Sequence, residues 1–413
     1  MKVLNFFTYD YPFEGNDQNF IEDELVMLST LFDKINVIPI KNKGKFKQNY
    51  IHRDNINYDL SLSNHLFKLK NIFKIIVRIF LCKYFWLELT KIKDKNYFNK
   101  VKMIIKERVL AENSFLWLLK NKNINLIENI FYSYWSNYTL FSFYLLKKKK
   151  IINHCFARSL GSDLNGFIPN DNFVAFINYK FKLLDFILIL NNGQKRRLEK
   201  EKLIEDQKVI KCYQGIKTQN FSNRIINQNK IHFVSCGRLA KVKNTIQIIN
   251  LVGSIKNFLS EFKIVYTCIG EGPEIEIIKK TANLKLKNVE FNLVNKVPNL
   301  IEFLKENDVD FYINLSLSEG MSFALMEAMS LSIPVICSSI PGNLEIVNSE
   351  NGYILNTYDE NEIKKLANEI KNDYKNQQFK IKRENTFKTV NEKINRKVVL
   401  ENMKNLLKNK FYQ

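Results

Sequence analysis

The residues best placed to do chemistry in this 413-residue chain lie in one stretch, DVDFYINLSLSEGMSFALMEAMSLSIPVICSSIPGNLEIVNSENGYIL, from Asp308 to Leu355. Glu319 and Gly320 fall in a polar loop, Ser316 to Ser322, after an apolar run of strand length, Phe311 to Leu315. A helix-forming run from Phe323 to Leu331 follows, with Ser322 placed to cap it and Glu327 on its second turn. Ile333 to Cys337 reads as a second short buried strand, and Pro341-Gly342 as a turn. Strand, loop, helix and strand in that order make a unit of a parallel sheet, whose ligands sit at the carboxyl ends of the strands. The N–H groups at the helix start near Phe323 favour an anion there. Carboxylates beside an anion site suit a ligand that also carries hydroxyls, such as a sugar or a ribose.

The same stretch resembles the retaining glycosyltransferases of family four (glycosyl transferases group 1), of the type that builds bacterial capsular and lipopolysaccharide polysaccharides. The likeness rests on Ser318-Glu319-Gly320, the Glu-x7-Glu pair, Ala328-Met329, Pro334-Val335-Ile336, Gly342, Glu345-Ile346-Val347 and Asn351-Gly352. Upstream, Gly237-Arg238-Leu239 with Lys243 is a second hallmark, and Gly270-Glu271-Gly272-Pro273 matches a family loop. Tyr11-Pro12-Phe13-x-Gly15 resembles the opening of many members. The resemblance is strong from Ile231 to Leu355 and looser before.

What it implies is an α/β GT-B fold, two Rossmann-like domains facing across a cleft, and transfer of a sugar from a nucleoside diphosphate. Glu319, Arg238 and Lys243 are then the catalytic residues. The two cations and the helix start stabilise charge growing on the leaving diphosphate, while Glu319 binds sugar hydroxyls near the reacting carbon. Glu327 accepts from the ribose hydroxyls. Gly237, Gly320, Met321, Ser322, Phe323, Gly270 and Gly15 complete the donor site, the glycines by allowing close backbone approach, though Gly15 equally fits a role in a turn alone. On the acceptor side, Arg158-Ser159-Leu160-Gly161-Ser162-Asp163 stands where relatives carry Arg-x-His-Gly-x-Asp. Arg158 would meet an acceptor phosphate, Asp163 keeps the pattern, and Leu160 replaces a positioning histidine; His154 either substitutes in space or is structural. No metal or other cofactor is implied beyond the sugar nucleotide as co-substrate, and Asp308-Val309-Asp310 reads as a strand entry.

Length and composition set the frame. The chain is too long for one ordinary core, and 46% apolar residues suffice for two. The net charge of +21 is uneven: residues 66–150 carry 18 Lys and Arg against 5 Asp and Glu. That basic surplus is either a solvated face or attraction to an anionic membrane surface. Six cysteines lack CxxC spacing, which suits a reducing cytosol and argues against structural zinc.

The elements that must position these residues can be read in order. Val3–Phe7 is a first strand, a helix runs from about Asn19 to Leu31, and Glu22 and Glu24 read as solvent-facing charges of its first turn. From Asn64 to about Leu119 apolar and basic residues alternate at helical spacing. Leu66, Leu69, Phe73, Ile76 and Phe80 share one face, and Lys68, Lys70, Lys74 and Arg78 are interleaved. The opening lacks a signal peptide's cleavage pattern, and Asn129–Leu146 is too interrupted by polar residues to cross a membrane. Residues 1–215 are expected to form an acceptor domain and 216–390 a donor domain. A last helix, 391–413, is expected to return to the first.

The resulting expectation is a cytoplasmic transferase, peripheral to the inner face of the membrane. Its partners would be a nucleotide-sugar donor, a saccharide or lipid-linked acceptor, and the anionic membrane surface. A catalytically silent GT-B partner subunit competes, supported by Leu160 and opposed by Arg238, Lys243, Glu319 and Glu327. An epimerase or a phosphorylase lacks the residues it needs, and no motif supports a nucleic-acid partner.

Overall fold

A computed structural model describes residues 1–13, 18–41, 45–47, 50–65, 69–92, 96–165, 173–221 and 229–412. Two compact units result, one of Met1–Tyr213 with Leu400–Gln413 and one of Gln214–Val399.

The first unit is built on seven parallel strands: β1 (Val3–Thr8), β2 (Lys34–Pro39), β3 (Ile56–Tyr58), β4 (Ile130–Ser133), β5 (His154–Arg158), β6 (Phe186–Ile189) and β7 (Val209–Lys211). Their order is β3-β2-β1-β4-β5-β6-β7, so the winding reverses between β1 and β4. All six residues of β1 are buried, because helices cover both faces of the sheet. Phe7, Ile38 and Phe131 pack on one face, and Leu4, Phe6, Ile35 and Tyr132 on the other.

The second unit repeats the plan with six parallel strands: β8 (Lys230–Cys236), β9 (Lys263–Ile269), β10 (Glu290–Val294), β11 (Phe311–Asn314), β12 (Val335–Ser338) and β13 (Gly352–Leu355). The order β10-β9-β8-β11-β12-β13 reverses between β8 and β11. The strand read at Phe311–Leu315 therefore lands beside the reversal, where open α/β sheets hold their ligands.

The last helix, Arg396–Phe411, begins in the second unit and continues in the first. Met403 and Leu407 are buried with Leu4 and Phe6 in the first unit's core. At its start, Ile216 N donates to Ile394 O at 2.8 Å and Arg396 N to Ile216 O at 2.9 Å. A Cβ on Gly215 would lie 2.4 Å from the Arg396 Cα, so only glycine fits this crossing.

Several sequence expectations need correction. Glu24 is not a surface charge. It is buried, its Oε2 3.1 Å from the Arg158 guanidinium and its Oε1 2.6 Å from the Tyr132 hydroxyl. The basic segment is not one long helix but the helices Leu69–Phe80, Lys83–Leu89 and Tyr97–Lys120. On the first of these the apolar positions divide: Ile75 and Ile79 are buried, while Phe73, Ile76 and Phe80 are exposed. The face picked out by spacing is thus the outer one. Leu66 and Lys68 lie outside the described residues. Among the described residues no helix is long and apolar enough to cross a membrane.

Candidate functional site

The loops after β8, β9, β11 and β12 converge in the second unit, and backbone contacts fix them. Gly237 N donates to Ile269 O at 3.0 Å and Leu239 N to Glu271 O at 2.8 Å. Gly270 adopts φ +145°, and a Cβ there would fall 1.9 Å from the Gly237 carbonyl oxygen. At Gly272 a Cβ would lie 2.3 Å from Leu239 O. These two glycines let the β9 loop press against the Gly-Arg-Leu turn, so buried Gly270 supports that turn from behind and does not itself form a ligand wall. Gly342 is equally constrained, its added Cβ meeting Gly320 O at 2.5 Å.

Lys243 and Glu319 meet as an ion pair across the reversal between β8 and β11. Both are held from behind. Ser316 Oγ donates to Glu319 Oε1 at 2.8 Å, Leu317 N to Val242 O at 2.8 Å, and Asn244 Nδ2 to Leu315 O at 3.2 Å. Asn244 takes a left-handed conformation, φ 56°, which asparagine tolerates and which starts the helix Thr245–Phe258. Arg238 is exposed in the turn between β8 and Lys243.

The helix Phe323–Ser330 starts as its sequence predicts, Ser322 Oγ accepting from Leu325 N at 3.4 Å, with no acidic residue in its first turn. Gly320, Met321 and Ser322 are buried in the turn leading into it, and Phe323 is half-buried. Glu327 lies on this helix, half-buried, and its carboxylate accepts no hydrogen bond among the described residues. Burial pushes its carboxyl above the usual range, and the Arg396 charge partly offsets that rise. Glu327 in turn helps burial push the Cys236 thiol up to about 12. Tyr312, fully buried within β11, is raised by burial first and then by Cys236, Glu319 and Glu327. Its hydroxyl donates to Cys236 O at 2.8 Å. Both glutamates therefore lie near enough to Tyr312 to act on it electrostatically.

The second unit accordingly brings the Lys243–Glu319 pair and a helix start to the strand ends at the reversal, with Glu327 on that helix and Arg238 exposed in the turn after β8. That arrangement suits a ligand with adjacent phosphate and hydroxyl groups. Tyr312, Ser316, Asn244 and Arg396 were not singled out from the sequence. Tyr312 is masked there by its apolar neighbours, and Arg396 is distant along the chain.

The acceptor-side expectations do not hold as stated. Arg158 is only 1% exposed. Besides Glu24 it donates to Tyr132 Oη at 3.2 Å and to Cys212 O at 3.0 Å, and its Nη2 lies 3.2 Å from Met403 Sδ. It holds the core together and cannot reach an acceptor phosphate. Asp163 is likewise buried, accepting from Ser136 N at 2.9 Å, Gly161 N at 2.9 Å, Leu160 N at 3.0 Å and Ser159 Oγ at 3.0 Å. It shapes the loop after β5 and has little capacity left for a ligand. Leu160 packs on the apolar core. His154 opens β5 at the end opposite that loop and does not replace a histidine there. Gly15 lies outside the described residues. Asp310 accepts from His232 N at 2.8 Å and so serves the strand entry. Among the described residues no group of three or more His, Cys, Asp or Glu could hold a metal.

Comparison with known proteins fits this geometry. The family model "Glycosyl transferases group 1" matches residues 216–386, the span that contains every residue of the crevice except Arg396. The second unit belongs to that family. An Escherichia coli UDP-Gal:alpha-D-GlcNAc-diphosphoundecaprenol alpha-1,3-galactosyltransferase is 27% identical over 191 residues, 42% of this chain and 48% of that one. Protein CapJ of Staphylococcus aureus is 31% identical over 121 residues, 28% of this chain and 30% of that one. The match thus spans about half the length of these relatives or less. The lipopolysaccharide outer core galactosyltransferase WaaB has the same fold over 100% of both chains, with a TM-score of 0.66 and 14% identity. The two Rossmann-like sheets are those of the GT-B class.

Proposed function

We propose that the protein is a retaining glycosyltransferase that moves a sugar from a nucleoside-diphosphate sugar to a saccharide acceptor, carried on a lipid, in bacterial surface polysaccharide synthesis. The observation that carries this reading is the Lys243–Glu319 ion pair at the strand reversal, followed directly by a capped helix start whose helix carries Glu327. Arg238 and Lys243 take the diphosphate and stabilise its charge as the sugar leaves. Lys243 is pre-positioned by Glu319, so a bound diphosphate competes for an ammonium group already aimed into the crevice. Glu327, lacking a hydrogen-bond donor, accepts the ribose hydroxyls. Glu319, relieved of part of its pairing, accepts from the sugar near the reacting carbon. No carboxylate nucleophile is assigned, and retention follows from attack on the same face as the departing phosphate, which takes the acceptor's proton. The pneumococcal transferase GtfA, solved with UDP and GlcNAc, shares 18% identity over 74% of this chain and 60% of its own, with a TM-score of 0.56; it supports a uridine donor as the first choice.

The exposed apolar side chains of the first unit support work at the inner face of a membrane. Phe73, Phe80, Leu81 and Phe98 are exposed among Lys74 and Lys83. Aromatic groups beside cations bind anionic lipid surfaces.

The test is to incubate the protein with candidate sugar nucleotides and a lipid-diphosphate saccharide and to read the anomeric configuration of the product by NMR. A product that keeps the donor's configuration is expected. An inverted product would contradict the retaining mechanism, and failure to consume any donor would contradict transfer.

A further inference from the structure

The first unit carries a second polar pocket that the donor chemistry does not use. It opens at the β2–β3 edge of the sheet, against the helix Ser61–His65 and the end of the helix Tyr97–Lys120, and measures about 1330 Å³. Small-molecule pockets are typically about 300–1,000 Å³, so this one has room for several sugar rings. Four lysines line it, Lys34, Lys74, Lys120 and Lys122. Lys34, Lys74 and Lys122 enter no ion pair among the described residues. The one carboxylate in the wall, Asp59, is already engaged. It accepts from Ser61 N at 3.0 Å, Ser61 Oγ at 2.6 Å and Asn121 Nδ2 at 2.9 Å. Trp117 Nε1 donates to the same Ser61 Oγ at 2.8 Å, which locks the wall in place. The pocket is therefore pre-organised and carries an uncompensated positive charge.

Its floor is made of amides. Asn57 Nδ2 donates to Asn36 Oδ1 at 3.4 Å, and Asn36 Nδ2 to Asn5 Oδ1 at 2.8 Å. The ladder ends at fully buried Asn5, whose Nδ2 has no hydrogen-bond partner among the described residues. Side-chain amides offer a donor and an acceptor together, which matches hydroxyl groups better than bare phosphate.

We propose that this pocket binds an anionic saccharide, a sugar chain bearing carboxylate or phosphate groups, at a site separate from the donor crevice. The ammonium groups take the charges and the amides take the hydroxyls. The proposal draws on the transferase reading only for the source of the ligand, a charged stretch of the acceptor chain.

Calorimetry on the full chain, without nucleotide and at 0.15 M salt, tests it with three probes: an acidic tetrauronate, a neutral tetraglucoside of equal length, and inorganic polyphosphate. The tetrauronate should bind more tightly than either of the others. Its affinity should fall at least tenfold in the Lys120→Glu/Lys122→Glu double variant and again in Asn57→Leu, while affinity for UDP stays unchanged in both. Absence of tetrauronate binding would overturn the proposal. So would equal binding of the neutral chain, or polyphosphate binding as tight as tetrauronate and indifferent to Asn57→Leu, which is surface attraction alone. If UDP failed to bind the unaltered protein, the transferase reading would fall and the saccharide result would still stand on its own.

Discussion

Glu327 is costly where it stands. Its carboxylate is half-buried, accepts no hydrogen bond among the described residues, and is raised above the usual carboxyl range by that burial. A carboxyl raised in the folded state stabilises below its unfolded pKa, and that contribution is lost as the pH climbs through the folded value. Glu327→Gln removes this dependence. The variant should therefore melt higher than the unaltered protein at pH 7.5, with the gap closing as the pH is lowered towards 4.5. The same change should weaken nucleoside diphosphate binding by about tenfold, since a charged hydrogen bond is worth ~1.5–3 kcal/mol. A thermal melt and a titration on one preparation check both signs. Arg158 gives the opposite pattern. Removing one partner of its buried pair with Glu24 leaves an unpaired charge, at a cost of about 3–5 kcal/mol. Arg158→Leu should lose that much stability in urea denaturation, and Glu24→Gln/Arg158→Leu should recover a good part of it. A folded, stable Arg158→Leu with impaired acceptor binding alone would restore the acceptor role that its burial removes.

At the scale of elements, what the sequence made legible were the short strands and the capped helix, because their signals are local. Ser322 before Phe323 and the apolar run from Phe311 are read from adjacent residues, and both elements form within a residue or two of the expected ends. Arg158 and Asp163 were legible as a pattern but not as a role, since their burial comes from contacts with Glu24, Met403 and Ser136 far along the chain. The same holds for the outward face of Leu69–Phe80, where spacing reveals two apolar rows without telling which one the core takes. Gly270 shows a third case. A Gly-x-Gly motif alone is uninformative, and its meaning appears once the β9 loop is seen pressed on the Gly237 carbonyl. Gly270→Ala, strained at φ +145° and blocked by backbone, should cost about 1–3 kcal/mol of stability and displace the turn that carries Arg238. Melting and nucleotide affinity should fall together. Unchanged affinity in the folded variant would mean that the turn does not need this support.

The whole molecule joins two sheets of like design with a lysine-rich surface of net charge +21. Charge alone would suit several partners, and the proposed membrane surface adds what a soluble polyanion does not need, contact with exposed Phe73, Phe80, Leu81 and Phe98. The protein should sediment with vesicles containing anionic lipid and much less with neutral ones. A Phe73→Ser/Phe80→Ser/Leu81→Ser variant should lose most of that binding even at low salt. Equal binding by the variant would leave electrostatics as the whole cause. The central claim, however, is the donor site. Calorimetric titration of the protein with UDP, GDP, ADP and CMP, repeated with Glu327→Ala and Arg238→Ala, tests it most directly. Selective binding of one nucleoside diphosphate, weakened at least tenfold in both variants while their melting stays cooperative, is the predicted result. If no nucleotide bound, or if one bound equally well to both variants, the crevice between β8 and β11 would not be a donor site.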